Sequence, residues 1–137
     1  MDADRLEAEL ALLRTAYPDL VHVVADDGVH WAKIPDYPLP SGWFSNGTPC
    51  KSVELAFRIP TQVGQAPYGF LVHPAIQLAG GATPSNYSPN VATPWGSDFA
   101  QFSWSPLGPW IPKTDITAGA NMLNFASSFA DRLRELS

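Results

Sequence analysis

The chain has 137 residues; 45% are hydrophobic, 12% aromatic and only 15% charged, with a formal net charge of −5. That length suits a single domain, residues 1–137, able to bury a core without cross-links, and the acidic balance argues against nucleic acid or an anionic membrane surface as partner. One cysteine excludes an internal disulfide framework or a four-thiolate zinc site, no apolar run approaches the roughly 18 residues of a membrane span, and an acidic start (Asp2, Asp4, Glu7, Glu9) is unlike a signal peptide, so a cytoplasmic location is expected.

The first helix is predicted from about Asp4 to Ala16. Leu6, Leu10, Leu13 and Tyr17 recur at i, i+4, i+7 and i+11 and form one apolar face. Asp2 or Asp4 can cap its start and Pro18 stops it. Leu20–Ala25 is β-branched and reads as a strand. Asp26-Asp27-Gly28 is a turn signal, and Val29–Ile34 reads as the return strand of a hairpin. Pro35 to Pro49 holds four prolines and is expected to be a rigid loop anchored by Trp43 and Phe44. Val53–Ile59 alternates, with Val53, Leu55, Phe57 and Ile59 on one side and Glu54, Ala56 and Arg58 on the other, the pattern of a half-buried antiparallel strand. Tyr68–Val72 is a fourth, short strand ended by His73-Pro74. The last element is a helix from about Asp115 to Leu136, capped by Thr114 or Asp115, with Leu123, Ala126, Ala130 and Leu133 on a stripe widened by Met122, Phe125, Phe129 and Leu136.

Charge is distributed unevenly. Eight of the thirteen acids fall in the first 36 residues, whereas from Pro60 to Pro112 the only charged residue is Asp98. That charge-poor stretch holds nine of the fourteen prolines and three of the five tryptophans. It is too aromatic for a disordered linker and is read as a long ordered loop, a setting where function concentrates. The fold class that emerges is α+β: N-terminal helix, four-stranded antiparallel meander, long ordered loop, C-terminal helix.

This order of elements resembles the ubiquitin-conjugating-enzyme (UBC) superfamily. Two residue patterns carry the resemblance further: Ala56-Phe57-Arg58-Ile59-Pro60 followed by Gln65-Ala66-Pro67-Tyr68-Gly69-Phe70-Leu71-Val72-His73-Pro74, and Trp104-Ser105-Pro106 with Trp110-Ile111-Pro112-Lys113-Thr114-Asp115. Within the superfamily the likeness is to a bacterial group called prokaryotic family E. The resemblance implies a ubiquitin-like protein and its adenylating activating enzyme as partners, often with a JAB-type metallopeptidase, and thioester transfer through a cysteine as chemistry. It also implies an oxyanion donor beside the His-Pro step.

The sequence departs from that pattern where the chemistry should be. Residues 51 to 137 contain no cysteine, and Ala75 follows His73-Pro74. Spacing back from Trp110 puts the expected nucleophile near Phe102, Ser103 or Trp104, of which only Ser103 is nucleophilic, and an alcohol without a paired base is a poor acyl relay. Catalytic candidates are therefore Ser103, Cys50 and His73, and each also has a structural reading. A Ser103–His73 triad with Asp98 or Asp115 lacks a nucleophile elbow. His22, His30 and His73 lack metal-ligand spacing, and Gly80-Gly81 lacks phosphate-loop spacing, so neither a metal nor a cofactor is expected.

The expected function is a noncatalytic UBC-like protein that binds the ubiquitin-like protein or its activating enzyme through Tyr68, His73, Trp95, Trp104 and Trp110. Two alternatives stand beside it. One is an active conjugating enzyme that uses Cys50 or whose cysteine has been replaced in this sequence. The other is a small-ligand or glycan-binding module built on the aromatic loop.

Overall fold

The computed structural model describes residues 1–62 and 64–137. In chain order its elements are helix α1 (Ala3–Ala16), strands β1 (Val21–Val24), β2 (His30–Pro38), β3 (Phe44–Ser45), β4 (Thr48–Pro49), β5 (Ser52–Ile59), β6 (Phe70–His73), β7 (Tyr87–Thr93) and β8 (Gly96–Phe102), and helix α2 (Met122–Leu136). Six strands form one antiparallel sheet in the order β1-β2-β5-β6-β8-β7. The α+β class is as expected: an N-terminal helix, an antiparallel sheet whose first four strands are sequential neighbours, and a C-terminal helix. This arrangement is consistent with a UBC-like layout.

Helix α1 starts on Asp2, whose carboxylate accepts the backbone N–H of Arg5 at 2.7 Å, satisfying one donor that the helix leaves unpaired. Leu10 and Leu13 are buried; Leu6 and Tyr17 flank them. The alternation in β5 works as predicted on its inner side: Val53, Leu55, Phe57 and Ile59 all join the main core. There they meet the apolar stripe of α2, where Phe70 stacks on Phe125 and Phe129 with ring centroids 4.3 and 4.7 Å away. Two buried polar groups fasten α2 to β2 and to the segment that follows it. Tyr37 Oη donates to the Ala126 carbonyl at 2.6 Å and accepts from Ala130 N–H at 3.1 Å, and Trp43 Nε1 donates to the Leu133 carbonyl at 3.1 Å.

Three expectations are corrected. The proline-rich segment 35–49 does pair. β2 runs on through Pro35 to Pro38 because a register shift between Ile34 and Tyr37 bulges the strand where the imide cannot donate. Beyond it, Asn46 (φ 50°) and Gly47 (φ 80°) turn the small β3–β4 hairpin, the positive-φ pair that two-residue turns favour.

The long loop is ordered but not irregular throughout. Its second half folds into the β7–β8 hairpin, which extends the sheet with β8 beside β6 and β7 at the outer edge.

The last helix begins at Met122, capped by Asn121 Oδ1 on the N–H of Asn124, not at Asp115. Asp115 instead closes a local turn by accepting from the N–H and hydroxyl of Thr117. Gly119 then passes so close to Ile111 and Lys113 that a Cβ there would stand 2.6 Å from the Ile111 carbonyl oxygen, which holds residues 111–120 as a folded-back loop.

Candidate functional site

The expected nucleophile position lies at the end of a strand. Phe102 pairs with Phe70 across β8–β6 and is fully buried on the core side. Trp104 is 8% exposed, edge-on to Phe70 and Phe102, with the Arg132 guanidinium 4.5 Å over its ring. Ser103, between them, is half-buried. Its N–H donates to the Asn86 carbonyl at 2.8 Å, and its hydroxyl accepts from Gln101 Nε2 at 3.2 Å. No histidine or carboxylate among the described residues hydrogen-bonds that hydroxyl. The register sets Ser103 and His73 at opposite ends of β6, four residue steps or roughly 13 Å apart, so the structure does not assemble them into a triad.

Cys50 sits between β4 and β5, half-buried against the main core. Its N–H bonds the Trp43 carbonyl at 2.9 Å and its thiol donates to the Ser52 carbonyl at 3.3 Å. Among the described residues no basic side chain hydrogen-bonds the sulfur, and a thiol is activated chiefly by a cationic or basic neighbour.

His73, by contrast, is the centre of a charged ladder on the outer face of the sheet, away from the helices. Lys33 Nζ on β2 lies 2.8 Å from Glu54 Oε1 on β5. Glu54 Oε2 lies 3.2 Å from His73 Nδ1 on β6, and His73 Nε2 lies 3.0 Å from Asp98 Oδ2 beside Phe99 on β8. Four adjacent strands are thus linked by one line of side chains. A general acid or base needs a ring nitrogen turned toward substrate; here both nitrogens face carboxylates, and the geometry is that of a bridge. Trp95, from the β7–β8 turn, completes the face: Lys33 Nζ stands 5.1 Å over its ring, and its ring meets Trp31 edge-on at 6.4 Å.

The five expected binding residues fall on different parts of the surface. His73 and Trp95 share the outer sheet face. Tyr68 is exposed at the mouth of β6. Trp104 and Trp110 lie on the helix side, where Trp110 is edge-on to Phe125 and flanks the exposed Leu107 and Ile111.

Sequence reasoning missed Glu54 as a partner of His73, and Lys33 as the partner of Glu54. The signal was present in the alternation of β5, which puts Glu54 on the outward side, and in the solitary charge of Asp98. Pairing them needed the strand register. It also missed Glu9, an acid on the buried face of α1, because only apolar positions were followed there.

Among the described residues no group of three or more His, Cys, Asp or Glu side chains could hold a metal ion, and no helix is long and apolar enough to cross a membrane. The fold and these surfaces define an α+β domain with a charged bridge on one face and an aromatic, half-exposed loop on the other. Comparison with protein-family models, curated proteins and solved structures finds no match, so the UBC resemblance stands on the element order and the motif residues.

Proposed function

We propose that this chain is a bacterial UBC-like protein of a ubiquitin-like modification pathway that acts without forming a thioester. In this reading it binds the ubiquitin-like protein or its adenylating activating enzyme in the cytosol, with a JAB-type metallopeptidase as a further pathway partner. The observation that carries the proposal is the replacement of the expected nucleophile by packing. Phe102 and Trp104 are core side chains, and Ser103 between them has an amide rather than a base at its hydroxyl. A side chain with neither thiolate nor paired base gives no acyl relay. In this reading the partner surface is Trp110 with the exposed Leu107 and Ile111, since tryptophan is enriched in binding hot spots and this one is half-buried beside exposed apolar side chains.

The test is a nonreducing gel after incubation with activating enzyme, ATP and the ubiquitin-like protein, together with a binding titration. No thiol-sensitive band is expected from the natural chain, while binding is retained and falls about tenfold or more in Trp110→Ala. A thiol-sensitive adduct abolished by Cys50→Ser would establish an active enzyme instead. Absence of binding to both partner proteins would remove the reading altogether.

A further inference from the structure

Four cationic side chains are half-buried among the described residues: Arg5, Lys33, Arg58 and Arg132. Three of them have a protein acceptor. Arg5 donates to the Lys113 carbonyl, Lys33 to Glu54 Oε1 at 2.8 Å and Arg132 to the Ser105 carbonyl at 2.6 Å. Arg58, on the outward side of β5, makes neither a hydrogen bond nor an ion pair among the described residues. Its guanidinium is nevertheless held in place, 4.6 Å over the ring of Trp31, which is itself 5% exposed. Gly69, at φ 86°, keeps the next strand clear of it: a Cβ there would stand 3.7 Å from Arg58 Nη1. No side-chain nitrogen without a partner is sealed from solvent. The guanidinium therefore lies with one face on an indole and its N–H groups free.

A groove of about 420 Å³ opens beside it, between the β1–β2 turn, the end of β5 and the segment that precedes β6. This volume falls in the range of small-ligand pockets. Its walls include Pro60, Pro67 and Tyr68, whose ring is 51% exposed. Two other titratable groups of charge-bearing type line it, Asp27 and His30. His30 Nδ1 is occupied by His22 Nε2 at 3.0 Å, and Asp27 Oδ1 accepts the Val29 N–H at 3.0 Å. Burial pushes the Arg58 guanidinium below its ordinary value, and the charge of Asp27 opposes that at a distance. Asp27 thus offsets the charge of Arg58 without supplying any of its hydrogen bonds. What the site lacks is an acceptor, and the like charge of Asp27 restricts that acceptor to a monoanion. A carboxylate meets both conditions, since its two oxygens match the guanidinium fork.

We infer that this groove is a binding site for a carboxylate on an apolar or aromatic stem, with Arg58 as its counter-ion and Tyr68, Pro60 and Pro67 as its walls. The site shares no residue with the proposed partner surface at Trp110, Leu107 and Ile111, and it needs no partner protein. Two sources present this chemistry: a free arylalkyl carboxylic acid, and the C-terminal carboxylate of a peptide.

The experiment titrates the full chain, at neutral pH, with 3-phenylpropionate, with 3-phenylpropanol, which keeps the shape and loses the charge, with 3-phenylpropylamine, which reverses it, and with phenyl phosphate, which doubles it. Tryptophan fluorescence, which Trp31 beneath the guanidinium reports, and calorimetry follow binding. The carboxylate is expected to bind about tenfold or more tighter than the alcohol. The amine should bind more weakly than either, and phenyl phosphate more weakly than the carboxylate. In Arg58→Gln the advantage of the carboxylate should disappear while the alcohol binds as before. Arg58→Lys, which restores the charge without the fork, should recover only part of it. The tripeptide acetyl-glycyl-glycyl-phenylalanine separates the sources: tighter binding of it than of 3-phenylpropionate assigns the groove to peptide C-termini, weaker binding to free acids. Equal binding of carboxylate and alcohol by the natural chain, preference for the amine or for phenyl phosphate, or no binding of any probe overturns the inference without needing a variant.

Discussion

His22 on β1 and His30 on β2 face each other across the first hairpin, with Nε2 and Nδ1 3.0 Å apart and the ring planes 11° from parallel. One nitrogen must donate and the other accept, so the contact holds while at least one of the facing nitrogens is unprotonated. Burial holds His22 below the ordinary histidine range. The charges of His30 and Arg14 act the same way, and Glu7 opposes them. A base with a folded pKa below its unfolded value binds fewer protons when folded. Its contribution to stability is therefore complete above the unfolded value of about 6.5 and is lost as pH falls through the lower, folded value. Glu9 acts with the opposite sign. Raised by burial, it binds more protons when folded, and its contribution diminishes as pH rises from the ordinary carboxylate value through its own. The two are separated by comparison with His22→Gln. Thermal midpoints measured from about pH 7.5 down to about pH 5 should fall more steeply in the natural chain than in the variant, and superimposable profiles would show that the pair carries no pH dependence. The histidines were legible as members of one ribbon, but their meeting was not, since it depends on the diagonal offset of Val21↔Lys33 through Val24↔His30.

Among the elements, those set by a single local pattern were read correctly and those set by long-range packing were not. Helix α1 has its cap, its stripe and its proline stop within 18 residues, and its ends came out within a residue or two. For α2 the sequence reading takes Thr114 or Asp115 as the cap and passes over Asn121, because nothing local marks the later start. The structure chooses through Gly119, which lets residues 111–120 fold back and hands the role to Asn121. The Asn121 side chain also donates to the Ile116 carbonyl at 3.0 Å and is 4% exposed. Asn121→Ala should therefore lower stability by about 1–2 kcal/mol in urea unfolding, at the upper end for a cap. Asp115→Ala, in an exposed turn, should cost less than about 0.5 kcal/mol. Reversal of that order would return the helix start to Asp115. The Asn46-Gly47 turn is the converse case. Its hairpin signal was present in the sequence, and the surrounding prolines masked it.

At the scale of the whole molecule the sheet has two apolar faces but only one layer of helices. Trp31, Ala56, Leu71 and Phe99 are each 5% exposed or less on the side away from α1 and α2. Strand alternation predicts polar residues there, and Glu54 and Arg58 satisfy it. The buried remainder was illegible because its cover comes from a distant element, the Trp95 turn between β7 and β8, together with Arg58, whose guanidinium lies 4.6 Å over Trp31. Two agents could hold this face: the apolar cover, or the charged line from Lys33 to Asp98 that crosses four strands. Their magnitudes differ. The Lys33–Glu54 ion pair and the hydrogen bonds of His73 to Glu54 and Asp98, with His73 38% and Asp98 68% exposed, contribute at most about 1 kcal/mol. A half-buried indole removes enough apolar surface from water to contribute about 2 kcal/mol. Trp95→Ala should accordingly destabilise the chain by about 2 kcal/mol with little dependence on salt. His73→Ala should cost less than about 1 kcal/mol. Chemical denaturation of both variants at low and high ionic strength decides the matter, with urea as denaturant so that the salt is set independently. A larger loss from His73→Ala than from Trp95→Ala would mean that the charged line, rather than the tryptophan, keeps the uncovered side of the sheet dry.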